Sequence, residues 1–393
     1  MSAAKRLKVM LVAGEASGDL HGSFVAKKIW EMEPSAEIYG MGGHRMRIAG
    51  VHLLFDPTRR STIGFIEALA AVPLMKKILA RMEKEFDLHR PDVIVLIDFP
   101  GFNMRVAEMA KQKGIPVVYY FSPSAWAWGR KRAEKVAATA TMVVSVFPFE
   151  AQVYREAGAN VTYVGHPLVD IVEPTMTREE ARRFLAMPMA RKLVALMPGS
   201  RRREVRLLLP GMLAAAKLIR KKVPGTEFVL PLAPTITYHE VEPLLKQSGV
   251  PVRAISQLTY DAMQACDMAL IASGTATLEA ACLGLPMVIV YKVSALTYRV
   301  GKLLVKIPYI GLPNIVAGRV VVPELLQDDA TPERIAEEAE DILLEPGRAD
   351  KVREALREVV SRLGEPGVLE RVAGLILGIA RDNDAPRAGN EQA

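Results

Sequence analysis

Short apolar runs alternate along most of the chain with longer stretches in which apolar positions recur at helical spacing. Runs that stay apolar from end to end and stop at Gly, Pro or an acid have the pattern of strands buried on both faces, and their alternation with helices predicts parallel sheets. A first series of strands is expected at Lys8–Val12, Glu37–Gly40, Val93–Ile97, Val117–Phe121, Met142–Val146 and Val161–Tyr163. Helices such as Gly101–Lys113 and Phe149–Ala157 lie between them. Gly165-His166-Pro167-Leu168-Val169-Asp170 reads as a junction, followed by a charged helix at Arg178–Leu185. A second series then opens at Leu193–Met197, Glu227–Leu232, Val252–Ala254, Met268–Ile271 and Pro286–Val290. The economical reading is an α/β protein of two similar domains facing each other across a cleft, with boundaries at 1–168 and 169–349. Amphipathic, highly charged helices (Thr331–Leu344, Lys351–Leu363) follow. Those within 350–380 are expected to join the first domain, and 381–393 to form a disordered tail with nothing to bury.

Composition sharpens this picture. A chain of 393 residues exceeds the size at which one core stops growing, and with 50% apolar residues it can fill two. Cys266 and Cys282, both in apolar settings, form no disulfide framework and suit a reducing, cytoplasmic compartment. The basic start MSAAKRLK precedes an apolar run too short for a signal peptide, and no stretch approaches the roughly 20 apolar residues that span a bilayer. The net charge of +7 favours anionic partners without choosing among nucleotides, nucleic acid and a membrane face.

The most informative stretch is Met10–Gly22, MLVAGEASGDLHG. A buried strand ends in a loop of small residues carrying Glu15, Ser17 and Asp19, and a helix begins at once. Ligands of open α/β sheets bind beyond the carboxyl ends of the strands, so both acids are expected where a polar substrate lies. The stretch Leu96–Asn103 (LIDFPGFN) delivers Asp98 to the same edge. A partly desolvated acid there can have a raised pKa and act as a general base; equally, it can simply cap the next helix.

Two stretches of the second domain suit an anion. In Leu196-Met197-Pro198-Gly199-Ser200-Arg201 a strand ends in a Pro-Gly turn that presents a hydroxyl and a guanidinium, whose rigid fork matches phosphate oxygens. Arg202 and Arg203 read as a solvated helix start. In Ile271–Glu279 (IASGTATLE) a strand feeds Ser273, Gly274 and Thr275 to the amino end of a helix, with Glu279 one turn on, where a carboxylate can accept from two ribose hydroxyls. The alternative is that Ser273 or Thr275 caps the helix and Glu279 is merely exposed. No Walker A sequence and no GxGxxG after a strand is present, which argues against a P-loop NTPase or a dinucleotide dehydrogenase.

GEASGDLHG, IDFPGFN, SPSAWAWG (Ser122–Gly129), VGHPLVD, PGSR, SGTATLE and GLPNIVAG (Gly311–Gly318) occur in this order. Together, over roughly Lys8 to Leu363, they resemble the lipid-A-disaccharide synthases, glycosyltransferases of bacterial outer-membrane lipid biosynthesis. The resemblance implies a GT-B architecture of two Rossmann-like domains with the active site between them. It implies transfer of the sugar of UDP-2,3-diacylglucosamine to 2,3-diacylglucosamine 1-phosphate, giving a β-1′,6-linked disaccharide and UDP with inversion. Carried over by motif, Asp98 is the base for the acceptor 6-hydroxyl, and Glu15 and Ser17 line the acceptor side. Ser200, Arg201, Ser273, Gly274, Thr275 and Glu279 hold UDP, and Asn314 sits near the diphosphate or sugar.

No cofactor is implied. The only Asp-x-Asp, Asp382-Asn383-Asp384, falls in the expected tail, so metal-independent chemistry is predicted. Diacylated substrates imply a peripheral protein on the cytoplasmic face of the inner membrane. Ile63–Met75, followed by Lys76 and Lys77, and Ser294–Ile310 are the candidate docking segments, although the first also reads as a buried helix. Trp126 and Trp128 beside Arg130–Arg132 form one short cluster without a nucleic-acid motif, so no nucleic acid is expected. His21 and His166 read as structural, lacking triad or zinc spacing. The carboxyl-terminal helices leave both a return to the first domain and exchange in a homodimer open. The rival functions are a UDP-N-acetylglucosamine 2-epimerase-like enzyme on the same scaffold and a non-catalytic nucleotide-sugar or lipid-binding protein.

Overall fold

The apolar run after Leu7 becomes β1 (Lys8–Ala13), whose residues from Val9 onward have no solvent exposure. In the computed structural model, which describes residues 6–57, 65–123, 130–293 and 308–384, β1 lies near the middle of a seven-stranded parallel sheet. Its order is β3-β2-β1-β4-β5-β6-β7, with β2 at Glu37–Met41, β3 at His52–Phe55, β4 at Val93–Ile97, β5 at Val117–Tyr120, β6 at Met142–Ser145 and β7 at Val161–Tyr163. Four helices, α1 (Ala16–Met32), α2 (His44–Ile48), α3 (Phe65–His89) and α4 (Pro100–Gln112), connect its first five strands.

A second parallel sheet, of six strands, has the order β10-β9-β8-β11-β12-β13. It comprises β8 (Leu193–Met197), β9 (Glu227–Pro231), β10 (Val252–Ile255), β11 (Met268–Ala272), β12 (Met287–Tyr291) and β13 (Glu324–Leu326). The amphipathic helices Arg202–Lys222 and Pro332–Leu344 bury Leu209, Met212, Ile335 and Ala339 against it. Each fully buried aliphatic side chain contributes about 1.5–3 kcal/mol, so strands buried on both faces fix these layers. Arg182 is a buried charge in this interior: 1% exposed, it donates to Asp267 and to the carbonyls of Ala265, Pro188, Met189 and Arg191.

The chain divides into two compact units, residues up to Pro167 together with those from Glu365, and Leu168–Gly364. The helix Arg348–Ser361 belongs to the second unit, where Arg362 just beyond it donates to the carbonyls of Val316 and Ala317; the expected return to the first domain is made only by the helix Val368–Asp384. Arg371 on that returning helix donates to the carbonyl of Val164 in its own chain. The helix runs past Arg381, and Asn383 donates to the carbonyl of Asp92. The expected tail therefore starts later than position 381, because the first unit still offers a carbonyl there. Positions 385–393 lie outside the described residues.

Both sheets have a point at which the strand order reverses, between β1 and β4 in the first and between β8 and β11 in the second. Crevices at such points are where open α/β sheets bind ligands.

Candidate active site

At the first reversal, β1 and β4 end side by side, with Ala13 opposite Ile97. The loop after β1 carries Glu15, at the amino end of α1, and Ser17, in its first turn. The loop after β4 carries Asp98. Ser17 Oγ donates to Asp98 Oδ2 at 3.1 Å, so the two sequence motifs meet. Glu15 holds the N-cap position with extended backbone, but its side chain makes no capping bond.

Asp98 and Phe99 both have left-handed backbones, at φ 54° and 51°. Two adjacent non-glycine residues in that region cost about 1–2 kcal/mol each and persist only where the surroundings enforce them. Asn103, wholly buried in the first turns of α4, supplies part of that enforcement: its Nδ2 donates to the carbonyl of Asp98 at 2.6 Å. The Asp98 N–H donates to the carbonyl of Phe121 at 3.1 Å. The turn also brings the Phe99 ring against Gly14, where a Cβ would sit 2.2 Å from the ring, so glycine is required. The N-cap position of α4 is Phe99, with Pro100 next. Sequence reasoning missed Asn103, although IDFPGFN contains it; an Asn in the first turn after a Pro-Gly pair was the available signal.

Asp19 is a correction. It is 4% exposed and accepts backbone N–H groups from Gly43, Arg45 and Met46 at 2.6, 2.9 and 3.0 Å. Its carboxylate caps the start of α2 from a distance and does not face a substrate, because those N–H groups have no intrahelical acceptor.

In the second unit, Gly199 turns the chain after β8 at φ 110°, and a Cβ there would lie 2.4 Å from Glu204 Oε2. The Glu204 carboxylate thus tucks beneath the turn, and its Oε1 accepts from Arg201 Nη1 at 2.8 Å, tying down a guanidinium whose side chain is 37% exposed. Thr235 Oγ1 donates to the carbonyl of Ser200. Across the reversal, β11 leads into Ser273, Gly274 and Thr275. Neither hydroxyl caps the helix Ala276–Cys282: Ser273 Oγ donates to the carbonyl of Ile310 at 3.0 Å, and Thr275 makes no side-chain cap bond. Thr277 Oγ1 binds the Gly274 carbonyl at 2.7 Å, and Glu279 is half-buried in the first turn.

Asn314 is enclosed by its own unit. It is 0% exposed; its Nδ2 donates to Glu324 Oε1 at 2.7 Å and to the carbonyl of Val322 at 2.9 Å, while Oδ1 accepts from the N–H groups of Val321 and Val322. Its amide hydrogen bonds are thus made within its own unit. Glu324, which the motifs did not mark, also accepts from the N–H groups of Ile310 and Gly311 at 2.9 and 3.0 Å. Asn314, Glu324 and Ser273 together pin the segment at Ile310.

The aromatic and histidine groups beside the first site form a buried pile. The His21 ring stacks on Phe121 with centroids 4.1 Å apart, and His166 meets both edge-on. Burial holds His21 down at about 3 and His166 well below the usual range, so both are neutral.

Trp126 and Trp128, most of SPSAWAWG, positions 294–307 of Ser294–Ile310 and the start of Ile63–Met75 lie outside the described residues. Lys76 and Lys77 are exposed on α3. Among the described residues no helix is long and apolar enough to cross a membrane, and no group of three or more His, Cys, Asp or Glu is placed to hold a metal ion.

The sequence model of the lipid-A-disaccharide synthetases matches residues 9–373. The chain belongs to this family. Among relatives, the lipid-A-disaccharide synthase of Geobacter metallireducens is 46% identical over 377 residues, covering 96% of this chain and 98% of the relative. That of Myxococcus xanthus is 40% identical over 370 residues, covering 94% and 97%. As a lipid-A-disaccharide synthetase the chain is a glycosyltransferase, and its two parallel-sheet domains are those of the GT-B class. Solved structures agree on the fold alone. The UDP-GlcNAc 2-epimerase of Neisseria meningitidis, bound to UDP-GlcNAc, has a TM-score of 0.66 at 14% identity, covering 95% of this chain and all (100%) of that one. Acinetobacter baumannii MurG has a TM-score of 0.58 at 14% identity, with coverage of 95% and 100%.

Proposed function

We propose that this lipid-A-disaccharide synthetase transfers diacylglucosamine from UDP to the 6-hydroxyl of diacylglucosamine 1-phosphate, with Asp98 as the general base. The observation that carries this reading is Asp98 itself, held at the reversal of the first sheet in a left-handed backbone with its carboxylate fixed by Ser17. As the acceptor oxygen attacks the anomeric carbon, its proton passes to Asp98. The bond from that carbon to the diphosphate oxygen breaks, and UDP leaves with the electron pair. Attack opposite the leaving group inverts the centre and gives the β-1′,6 linkage. Ser17 orients the base, and Glu15, at the same loop, positions the acceptor.

The second unit takes the UDP. Arg201, oriented by Glu204, and the backbone N–H groups at Ser273–Thr275 meet the charge that grows on the diphosphate. Ser200 lies beside Arg201 in that cradle, and Glu279 accepts from the ribose hydroxyls. This arrangement supplies charge stabilisation without a metal. Two acyl chains per substrate, a net charge of +7 and the exposed Lys76 and Lys77 support peripheral association with an anionic membrane face. Sedimentation with anionic liposomes, lost at high salt, is the test of that association.

The epimerase reading has the likeness of fold behind it, whereas the sequence relatives named above are lipid-A-disaccharide synthases. Incubation with the acylated donor and acceptor, with mass detection of the products, separates the two: disaccharide 1-phosphate with UDP supports transfer, and an epimerised sugar formed without acceptor overturns it.

A further inference from the structure

Glu150 is a buried carboxyl to which neither the sequence motifs nor the transfer chemistry gives a task. It lies in the first turn of the helix Pro148–Glu156, 4% exposed, at the edge of the first sheet that also carries Asp98. Its Oε1 accepts from Ser122 Oγ at 3.3 Å, and its Oε2 lies 3.0 Å from Ser145 Oγ at the end of β6. One turn further, Tyr154 Oη donates to the carbonyl of Pro123. The helix therefore grips two consecutive residues, Ser122 and Pro123, just after β5.

The residue before them is Phe121, which leaves β5 with φ 57° and whose carbonyl accepts the Asp98 N–H at 3.1 Å. Its ring is fixed by the stack on His21 and the edge of His166. Phe121 is thus held on both sides, by buried imidazoles at its ring and by Glu150 through Ser122 in its chain. We propose that Glu150 is a positioning residue for Asp98, acting through Ser122 and the Phe121 carbonyl. The inference rests on the reading of Asp98 as base.

Proton bookkeeping says which form of Glu150 completes the network. Ser145 Oγ lies within bonding distance of two acceptors, the Phe147 carbonyl at 2.9 Å and Glu150 Oε2, yet a hydroxyl has one proton to give. Both contacts of Ser145 are made together when Glu150 is protonated. Its Oε2–H then donates to Ser145, Ser145 donates to Phe147, and Ser122 donates to Oε1. Burial pushes this carboxyl up to about 7, against the lowering effect of Ser145, Ser122 and the Val146 N–H. The titratable groups near it are Tyr154 on its own helix, which in turn faces Tyr119 on β5 and Arg132 on the helix Arg130–Thr139, and His166 beyond Phe147. None of them forms an ion pair with it among the described residues.

The test is steady-state kinetics on Ser122→Ala, Glu150→Ala, the double variant and Glu150→Gln, each checked for folding by thermal melting. Glu150→Ala and Ser122→Ala should each lower kcat about tenfold, as a misplaced base does, with KM for the UDP-sugar nearly unchanged. The double variant should be no worse than the worse single one, because both cut the same link. Glu150→Gln, whose amide can donate to Ser145 and accept from Ser122, should recover most of the kcat lost in Glu150→Ala. A folded Ser122→Ala with parental kcat, or single effects that multiply, overturns the inference. Asp98→Asn assayed in parallel separates the two claims. Parental turnover there sinks the base itself; loss of turnover there with an unaffected Ser122→Ala sinks only the role of Glu150.

Discussion

Ser17 and Asp98 are 81 positions apart in sequence, yet the hydroxyl of one donates to the carboxylate of the other at 3.1 Å. Their meeting is a consequence of strand order: β1 and β4 are neighbours, so the loops that follow them share one edge. Replacing Ser17 by Ala removes one orienting bond to the base. The expected result is a fall in kcat of about tenfold with the affinity for UDP retained, measured by steady-state kinetics and by calorimetric titration with UDP.

Arg201 tests the other half of the reaction. A planar fork held through Nη1 by Glu204 differs from a flexible ammonium, so Arg201→Lys should behave much like Arg201→Ala. Both are expected to lose on the order of 100-fold in kcat/KM for the UDP-sugar. Chelator treatment of the parent enzyme should leave turnover unchanged. Activity that disappears with a chelator and returns with a divalent ion would contradict this division of labour.

Asn314 should report on stability and not on contact with ligand. Asn314→Leu would strand the buried N–H groups of Val321 and Val322 and the carbonyl of Val322, a loss of about 2–4 kcal/mol read as a lowered melting temperature without ligand. Unchanged stability together with lost UDP affinity would return Asn314 to the ligand.

The strand–loop motifs were legible because parallel strands are apolar throughout and their carboxyl ends are where chemistry gathers. The edge strands β3 and β13 were not. His52–Phe55 is half-exposed and Glu324–Leu326 spans three residues, so neither has the uninterrupted burial that marks β1 or β4; the edge strands β7 and β10, no better buried, were nevertheless read from their place in the strand–helix alternation. Asp98, Ser17 and Arg201 could be placed by proximity to strand ends. Asp19 shares the stretch after β1 with Glu15 and Ser17 but faces inward, and no local pattern distinguishes a carboxylate that caps a distant helix from one that meets a substrate. Glu324 and Glu150 were invisible for the converse reason, since their partners come from other segments of the chain. Phe121 was expected inside β5, but its left-handed backbone ends the strand one residue early.

The buried ionisable groups make stability depend on pH in two opposite ways. Glu150, raised from 4.5 to about 7, binds its proton more tightly in the folded chain. Its contribution is full below pH 4.5 and is lost as pH rises through 7, an effect on the order of 3 kcal/mol. His21, lowered from 6.5 to about 3, works in reverse: its contribution is full above pH 6.5 and is lost as pH falls toward 3. Denaturant melts of the parent and Glu150→Gln should therefore diverge between pH 4.5 and 7, the variant gaining relative stability as pH rises. Parallel pH curves for the two proteins would place Glu150 in a more solvated, ordinary setting.

The most direct measurement is single-turnover mass spectrometry of Asp98→Asn with both acylated substrates, beside the parent enzyme and with UDP binding measured on the same samples. The account predicts disaccharide 1-phosphate and UDP from the parent, turnover reduced by roughly 100-fold or more in the variant, and equal UDP affinity in both. Disaccharide formed by Asp98→Asn at the parental rate would contradict it.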